Sequence, residues 1–265
     1  MLSLTLLITT SVSYLLAALY QGYCVKQRYP VKKPLLMALA CIAVSIHALS
    51  LPMQLFVGNG LSLGIFNSLS LLSAAITSIT LLACLRLPLE NLLLLLLPLG
   101  LISVNSAYWI TAGTEQPIHE TPAIFAHILL SFLAYGLLTI AAMQALLLLL
   151  QQHQLKHKHS NGITRNFPPI QTMESLLFGY LWAGFGLLSL GLLSGWIFVD
   201  NLFAQHLGHK AILSCLAWAV FAILLIGRYY LGWRGSKAIR WTLTGFGLLV
   251  LAYFGSKFVY DFIIN

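Results

Sequence analysis

Charged side chains are scarce in this chain of 265 residues. Only 8% of the residues are Asp, Glu, Lys or Arg, whereas 59% are hydrophobic, and the mean hydropathy is +0.89. A soluble domain has roughly a quarter of its residues charged, so this composition excludes an ordinary water-soluble protein. A membrane-spanning helix needs about 20 apolar residues. The length therefore admits about eight such helices, and we predict one integral membrane domain over residues 1–265.

Several motifs that would indicate catalysis or redox chemistry are missing. The four cysteines form no C-x-x-C and no C-x-x-C-H, which argues against a thiol relay and against a c-type cytochrome. No Walker-type or G-x-G-x-x-G phosphate loop occurs, so this chain alone does not drive transport with ATP. We expect the cysteines to be small apolar fillers and the chain to catalyse no reaction.

Acidic residues are few and badly placed for ion coupling. Proton- and ion-coupled transporters usually keep ionisable side chains at mid-membrane, despite the cost. The six acids here all fall in loops or within about a turn of the end of an apolar run: Glu90, Glu115, Glu120, Glu174, Asp200 and Asp261. The sequence therefore disfavours a secondary transporter.

What the chain does contain is a series of long apolar runs bounded by polar or turn residues. They predict an all-α, polytopic bundle of about eight transmembrane helices. The predicted spans are residues 2–21, 35–56, 62–85, 89–104, 123–150, 174–198, 210–231 and 239–261. The first run has no basic residue before it and four just after it, the reverse of a secretory signal. We expect it to be retained as the first helix.

Basic residues are distributed unevenly between the two sides of this bundle. Of the 14 Lys and Arg, all except Lys210 and Lys257 fall on the side of the loops after the first, third, fifth and seventh spans. This asymmetry identifies the cytoplasmic side of a bacterial inner membrane and places both termini in the periplasm. It also accounts for the net charge of +8, so nucleic-acid binding is not needed to explain that charge.

Two of the eight histidines lie inside apolar runs. His47 falls near the middle of the second span, and His127 falls about one turn inside the outer end of the fifth. Polar residues follow each histidine on the same helix face. In the fifth span they are Ser131, Tyr135 and Thr139, in the second Ser50 and Gln54, and the third span has its own set in Ser70, Ser73, Thr77 and Thr80.

These polar faces have two interpretations, and the sequence leaves both open. Unpaired polar groups are costly in hydrocarbon, so the faces should meet one another or line a cavity. They can be interhelical hydrogen-bonding faces. Alternatively, they can form a pocket for a large apolar ligand with an imidazole offered to it, and haem iron is the candidate because His is a common axial ligand.

Small residues form a further face in the sixth span, where Gly184, Gly191 and Gly195 lie along one side. Such spacing lets helix backbones approach closely. We expect tight packing within the bundle, with a dimer contact as the alternative.

Two outer segments stand out by composition. Residues 105–122 contain Tyr108 and Trp109, which suit an interfacial aromatic belt. Residues 195–210 contain His206 and His209, which could share a helix face. With no third ligand identifiable, a zinc pair there is a weak hypothesis.

Five stretches of the chain resemble the CcsA/CcmC family of cytochrome c assembly proteins. They are PAIFAHILLSFLAYG (122–136), GWIFVDN (195–201), HKAILSCLAW (209–218), GWRGSKAIRW (232–241) and LAYFGSKFV (251–259). The resemblance covers about residues 61–262. More narrowly, it is to the YpjD-type branch of bacterial inner-membrane proteins.

The resemblance implies a bundle that handles haem for attachment to c-type cytochromes outside the membrane. Family members hold haem between two external histidines beneath a tryptophan-rich segment. His127 matches the first of these, and the second falls near Lys257, where this chain has no histidine. By predicted depth, His209 is the best substitute and His47 the second.

Other family features are reduced here. The tryptophan-rich segment keeps Lys210 but loses most of its tryptophans, and the bundle histidines of the family fall near Thr80 and Ile226. The leading hypothesis is therefore a haem-handling cytochrome c assembly protein with His127 as haem-iron ligand, acting with the lipid bilayer and other assembly components. The alternative is a haem-free membrane scaffold or metal-ion homeostasis accessory that kept the fold.

Overall fold

A computed structural model describes residues 2–27, 29–57, 60–110, 122–156, 167–198 and 208–255. Within these ranges the chain is almost entirely helical, as expected where the surrounding hydrocarbon offers backbone groups no hydrogen bonds. The helices are α1 (Leu2–Gln27), α2 (Lys33–Leu55), α3 (Ile65–Cys84), α4 (Leu93–Trp109), α5 (Pro122–Lys156), α6 (Ile170–Phe198), α7 (Gly208–Leu231) and α8 (Gly235–Val250). Two-residue strands, β1 (Phe56–Val57) and β2 (Gly60–Leu61), pair antiparallel after α2.

Among the described residues, seven helices, α1 to α7, contain stretches that are long and apolar enough to cross a membrane. The eighth, α8, has 16 residues and is about 24 Å long, shorter than the roughly 30 Å hydrocarbon layer. A π-helical segment, Leu251–Gly255, continues it. The prediction of an all-α bundle of about eight helices is thus confirmed, although α1 and α5 run further than predicted, to Gln27 and Lys156.

The described residues form two compact units. The first comprises those within 1–119 and 150–168, and so contains α1 to α4. Helix α1 packs against α2 and α4, and α3 packs against α2 and α4. The second unit comprises those within 120–149 and 169–265 and contains most of α5 together with α6, α7 and α8.

The core of the first unit is built around Tyr14 of α1. This side chain is fully buried among small and branched residues of α2, α3 and α4. Small residues let the helices approach closely enough to enclose an aromatic ring. Gly100 of α4 lies directly against that ring, because a Cβ built there would be 2.6 Å from Tyr14 Cε1.

One end of the first unit is closed by polar contacts around a 3₁₀ turn, Glu90–Leu92, which precedes α4. Lys33 of α2 forms an ion pair with Glu90, and Gln21 Nε2 donates to the Glu90 carbonyl at 2.7 Å. At the other end, Asn67 Nδ2 donates to the Gln54 carbonyl at 3.1 Å, which ties α3 to the end of α2.

In the second unit the glycine face of α6 packs against α5. A Cβ at Gly184 would lie 2.8 Å from Leu138 Cγ, and a Cβ at Gly191 would lie 3.5 Å from Ser131 Oγ. The two backbones are therefore as close as small residues permit. This confirms the prediction that the glycine face packs tightly within the bundle.

Helices α7 and α8 are joined by a three-residue turn that is attached to α6. Gly232 has φ 64°, a left-handed conformation that glycine adopts at little cost. The Gly235 backbone N–H donates to Glu174 Oε1 of α6 at 2.8 Å. Arg228 donates to the Trp233 carbonyl at 3.2 Å and lies 4.5 Å from the ring centroid of Phe178, also on α6.

The close approach of α4 to Tyr14 predicts that Gly100→Ala destabilises the first unit. The added methyl group would collide with the buried ring, and such overpacking typically costs about 1–3 kcal/mol. Gly22→Ala is the matched control, because nothing lies within 4 Å of a Cβ at Gly22. Thermal unfolding in detergent should show a lower midpoint for Gly100→Ala only; equal midpoints for the two variants would contradict this packing.

Candidate functional site

His127 lies near the start of α5 and is held by the opposing backbone of α6. Its Nδ1 is 3.0 Å from the Gly191 carbonyl oxygen and 3.0 Å from Ser194 Oγ. A carbonyl only accepts hydrogen bonds, so Nδ1 must carry the ring proton and donate it. The neutral ring then has its lone pair on Nε2.

The position of the His127 imidazole also depends on the residue opposite it having no side chain. Gly195 of α6 faces it, and a Cβ there would lie 2.9 Å from His127 Cε1. Any larger residue would displace the ring. Glycine at this position and the serine beside it thus determine together where the imidazole lies.

The second ring nitrogen of His127 is available for a ligand. Within the described residues Nε2 forms no hydrogen bond, and the side chain is partly exposed. An unprotonated Nε2, with Nδ1–H bound to a carbonyl, is the arrangement found in metal-ligating histidines. The residues present therefore fit a single axial imidazole ligand to haem iron.

Three polar residues follow His127 on the same face of α5, and two of them contact neighbouring helices, as their spacing predicts. Ser131 lies against Gly191, and Tyr135 OH donates to the Leu249 carbonyl of α8 at 3.0 Å. The Tyr135 ring is 5.7 Å from that of Tyr253, and Lys210 Nζ is 5.9 Å from the same Tyr253 ring. Thr139 instead bonds to its own helix, at the Tyr135 carbonyl.

The two histidines of the outer segment 195–210 have no described side chain. His206 belongs to an undescribed stretch, as does Lys257, the position at which the second family histidine is missing. For His209, in the first turn of α7, only the backbone is described. The zinc-pair hypothesis and the substitution of His209 for the missing family histidine therefore stay predictions. Among the residues that are described, no three His, Cys, Asp or Glu side chains group as a metal site.

His47 lies in the first unit and is completely buried. Its Nδ1 is 3.0 Å from Tyr14 OH, and its Nε2 is 2.9 Å from Ser70 Oγ. Both ring nitrogens therefore have partners. A metal could bind this ring only by displacing one of them, which distinguishes His47 from His127.

The donor and the acceptor of each hydrogen bond around His47 can be assigned. Ser70 donates its single hydroxyl proton to Gln54 Oε1 at 2.8 Å, so it can only accept from His47 Nε2–H. The other ring nitrogen then accepts from Tyr14 OH. The sequence predicted that the polar faces meet one another or line a cavity, and these bonds show that the faces of α2 and α3 meet.

Sequence reasoning missed two residues that hold the histidines. Tyr14 lies in the first apolar run beside several other hydroxyl residues, and nothing in its spacing marks it as the partner of His47. Ser194 lies beside Gly195 in a stretch interpreted only as a packing face. In each case the missing information was which helices are neighbours.

The chain matches the family model described as "Cytochrome C assembly protein" over residues 34–264. It is 34% identical over 230 residues to the inner membrane protein YpjD of Escherichia coli strain K12, covering 85% of this chain and 84% of that protein. The chain belongs to the cytochrome c assembly protein family. The match begins at residue 34, earlier than the sequence resemblance suggested, and so includes His47 as well as His127.

Two proteins of lower identity are also similar to this chain. The cytochrome c biogenesis protein CcsA of Chlamydomonas reinhardtii is 25% identical over 56% of this chain and 41% of its own length. Protein HemX of Brevibacillus brevis is 24% identical over 53% of this chain and 55% of its own length. No solved structure matches the chain. With its spanning helices and its similarity to an E. coli inner-membrane protein, this family member is a multi-pass inner-membrane protein.

The chain of bonds through His47 predicts that Ser70→Ala is destabilising. It removes the partner of both His47 Nε2–H and Gln54 Oε1, and a buried group left without a partner costs about 1–3 kcal/mol. Ser78→Ala on the same helix is the control, because Ser78 bonds to the Ala74 carbonyl of its own helix. Chemical denaturation of the purified protein should show a loss of stability for Ser70→Ala well beyond that for Ser78→Ala.

Proposed function

We propose that this protein binds haem in its second unit, with His127 as an axial ligand through Nε2, as part of c-type cytochrome assembly. The observation that carries the proposal is the geometry of His127. Its ring is oriented by the α6 backbone, its proton is fixed on Nδ1, and its Nε2 is unoccupied by any described residue. Membership of the cytochrome c assembly family supports it.

The hydrogen bond at Nδ1 would make His127 a better ligand than a free imidazole. Donation to a carbonyl fixes the tautomer and raises the basicity of the opposite nitrogen. Ser194 reinforces the arrangement by donating to the same Gly191 carbonyl at 2.8 Å. Axial ligands and their hydrogen bonds are the means by which a protein tunes bound haem.

His209 is proposed as the residue that would supply a second haem ligand, because its backbone lies in the second unit together with His127. His47 belongs to the first unit, and ligand binding there would break its bond to Tyr14 or to Ser70. Haem is then cargo to be held and passed on to assembly partners, and the chain contributes positioning and not bond-making chemistry.

Removal of the proposed haem-ligating histidine should change the absorption spectrum of the protein. The protein, purified in mild detergent after expression with haem precursor, should give a reduced-minus-oxidised haem signal that His127→Ala removes or shifts. His153→Ala is the matched control, because His153 is an exposed residue of the same helix about 39 Å further along it. A wild-type protein without haem signal would favour the haem-free scaffold, and an unchanged signal in His127→Ala would exclude this ligand.

The glycine that faces His127 provides a separate test of ring placement. Gly195→Ala should weaken haem binding and alter its spectrum, because the methyl group would push the imidazole aside. Gly186→Ala on the same helix should leave the spectrum unchanged, since nothing lies within 4 Å of a Cβ at Gly186. Haem titration of both variants makes the comparison, and identical affinities would show that the ring does not depend on Gly195.

A further inference from the structure

Basic side chains are concentrated where α7 ends and α8 begins. Three of them, Arg234, Lys237 and Arg240, are exposed there within a short stretch of sequence. No described acid forms a salt bridge with any of the three. Glu174, which contacts this turn, is buried and already accepts from the Gly235 backbone N–H. The surface of the turn therefore carries positive charge that no described acid neutralises.

Two tryptophans accompany these cations. The ring of Trp233 lies against the backbone of α7, because a Cβ built at Gly227 would be 2.6 Å from Trp233 Cδ2. The ring of Trp241 lies 5.5 Å from the ring of Trp233. Lys237 comes between the two in sequence, and its Nζ lies 5.7 Å from the Trp233 ring centroid. We call the two tryptophans and the three exposed cations the α7–α8 cluster.

The backbone of this cluster is fixed by its own hydrogen bonds. The Trp233 N–H donates to the Gly227 carbonyl at 3.2 Å, and the Trp233 carbonyl accepts from Arg228 at 3.2 Å. Arg228 in turn lies over the ring of Phe178 on α6. Groups that are already held in place lose less conformational freedom when they bind a ligand. The cluster is thus better suited to hold an anion than basic residues scattered over a surface.

An exposed apolar stripe on α7 leads to the same cluster. Ile223, Ile226 and Tyr230 are all exposed, and residues three and four apart share one helix face. Gly227, against which Trp233 packs, is only about 60° from Tyr230 around the helix. The stripe therefore ends beside the aromatic pair. Because α7 is long and apolar enough to cross a membrane, this stripe suits a hydrocarbon chain.

Together these features match the parts of an anionic phospholipid. Tryptophan is enriched at the level of the lipid headgroups, and clustered Lys and Arg beside a spanning helix attract anionic lipids at the cytoplasmic surface. The turn between α7 and α8 lies on the side predicted to be cytoplasmic. A zwitterionic headgroup would place its own positive group near the same cations, so it fits the cluster less well.

We propose that the α7–α8 cluster is a binding site for the phosphate group of an anionic phospholipid, whose acyl chain lies along the exposed stripe of α7. A ligand that binds only the folded protein stabilises it. The bound lipid therefore stabilises the turn that attaches α7 and α8 to α6. The site uses neither His127 nor any other residue of the proposed haem site, so it exists whether or not haem binds.

The test is selective lipid binding by the full-length protein. Protein delipidated in detergent is titrated with phosphatidylglycerol, or with phosphatidylcholine of the same acyl chains, and native mass spectrometry counts the bound lipids. Phosphatidylglycerol should be retained at lower concentration and should raise the thermal unfolding midpoint more than phosphatidylcholine does. Equal retention of the two lipids would overturn the proposal.

A pair of double variants separates a built site from net charge. Lys237→Gln combined with Arg240→Gln should weaken phosphatidylglycerol binding by roughly tenfold, because two cations of the site are lost. Lys26→Gln combined with Arg86→Gln is the matched control, since it removes the same charge from exposed residues of the first unit on the side predicted to be cytoplasmic. Size-exclusion profiles check that both proteins are folded. An equal loss of affinity in the two would reduce the effect to net charge and contradict the site.

A competition experiment distinguishes a lipid from a soluble anion. Inorganic phosphate has the charge of the headgroup but no acyl chain to lie along α7. Added at millimolar concentration and constant ionic strength, it should leave the bound phosphatidylglycerol in place. Displacement of the lipid by inorganic phosphate would identify a soluble anion as the occupant and overturn the proposal.

Discussion

A polar group inside the hydrocarbon layer must find its partner within the protein, and this constraint decides how the helices of each unit are arranged. In the first unit Tyr14, Ser70 and Gln54 surround His47, so α1, α2 and α3 can be neighbours in only one register. In the second unit His127 and Tyr135 impose the same requirement on α5, because one bonds to the α6 backbone and the other to the end of α8. Apolar packing alone would be far less selective.

The two histidines of the apolar helices satisfy that constraint differently, and the difference indicates different roles. Both ring nitrogens of His47 bond to side chains of other helices, which suits a structural role. His127 donates from Nδ1 to a backbone carbonyl, and its Nε2 has no partner among the described residues, which suits a ligand. The two interpretations that the sequence left open therefore apply to different histidines, with interhelical bonding at His47 and ligand binding proposed at His127.

Helix number, helix type and the polar faces followed from the sequence, because the apolar runs and the four-residue spacing of residues such as His127 and Ser131 are local properties. The family was also recognisable from short local stretches such as residues 122–136. What the sequence could not supply was contact between distant residues. Tyr14 lies 33 positions from His47, and Ser194 lies 67 from His127. A single sequence carries no record of which helices are adjacent, so neither partner was foreseen.

The turn between α7 and α8 links membrane insertion to folding. Arg228, Arg234, Lys237 and Arg240 all lie in or beside it, on the side predicted to be cytoplasmic, where they resist translocation as the chain is inserted. Once α6 is in place, the same short turn is fixed by Glu174 and by stacking of Arg228 on Phe178. The basic residues predicted to hold this turn on the cytoplasmic side therefore lie in the same short segment whose contacts attach α7 and α8 to α6.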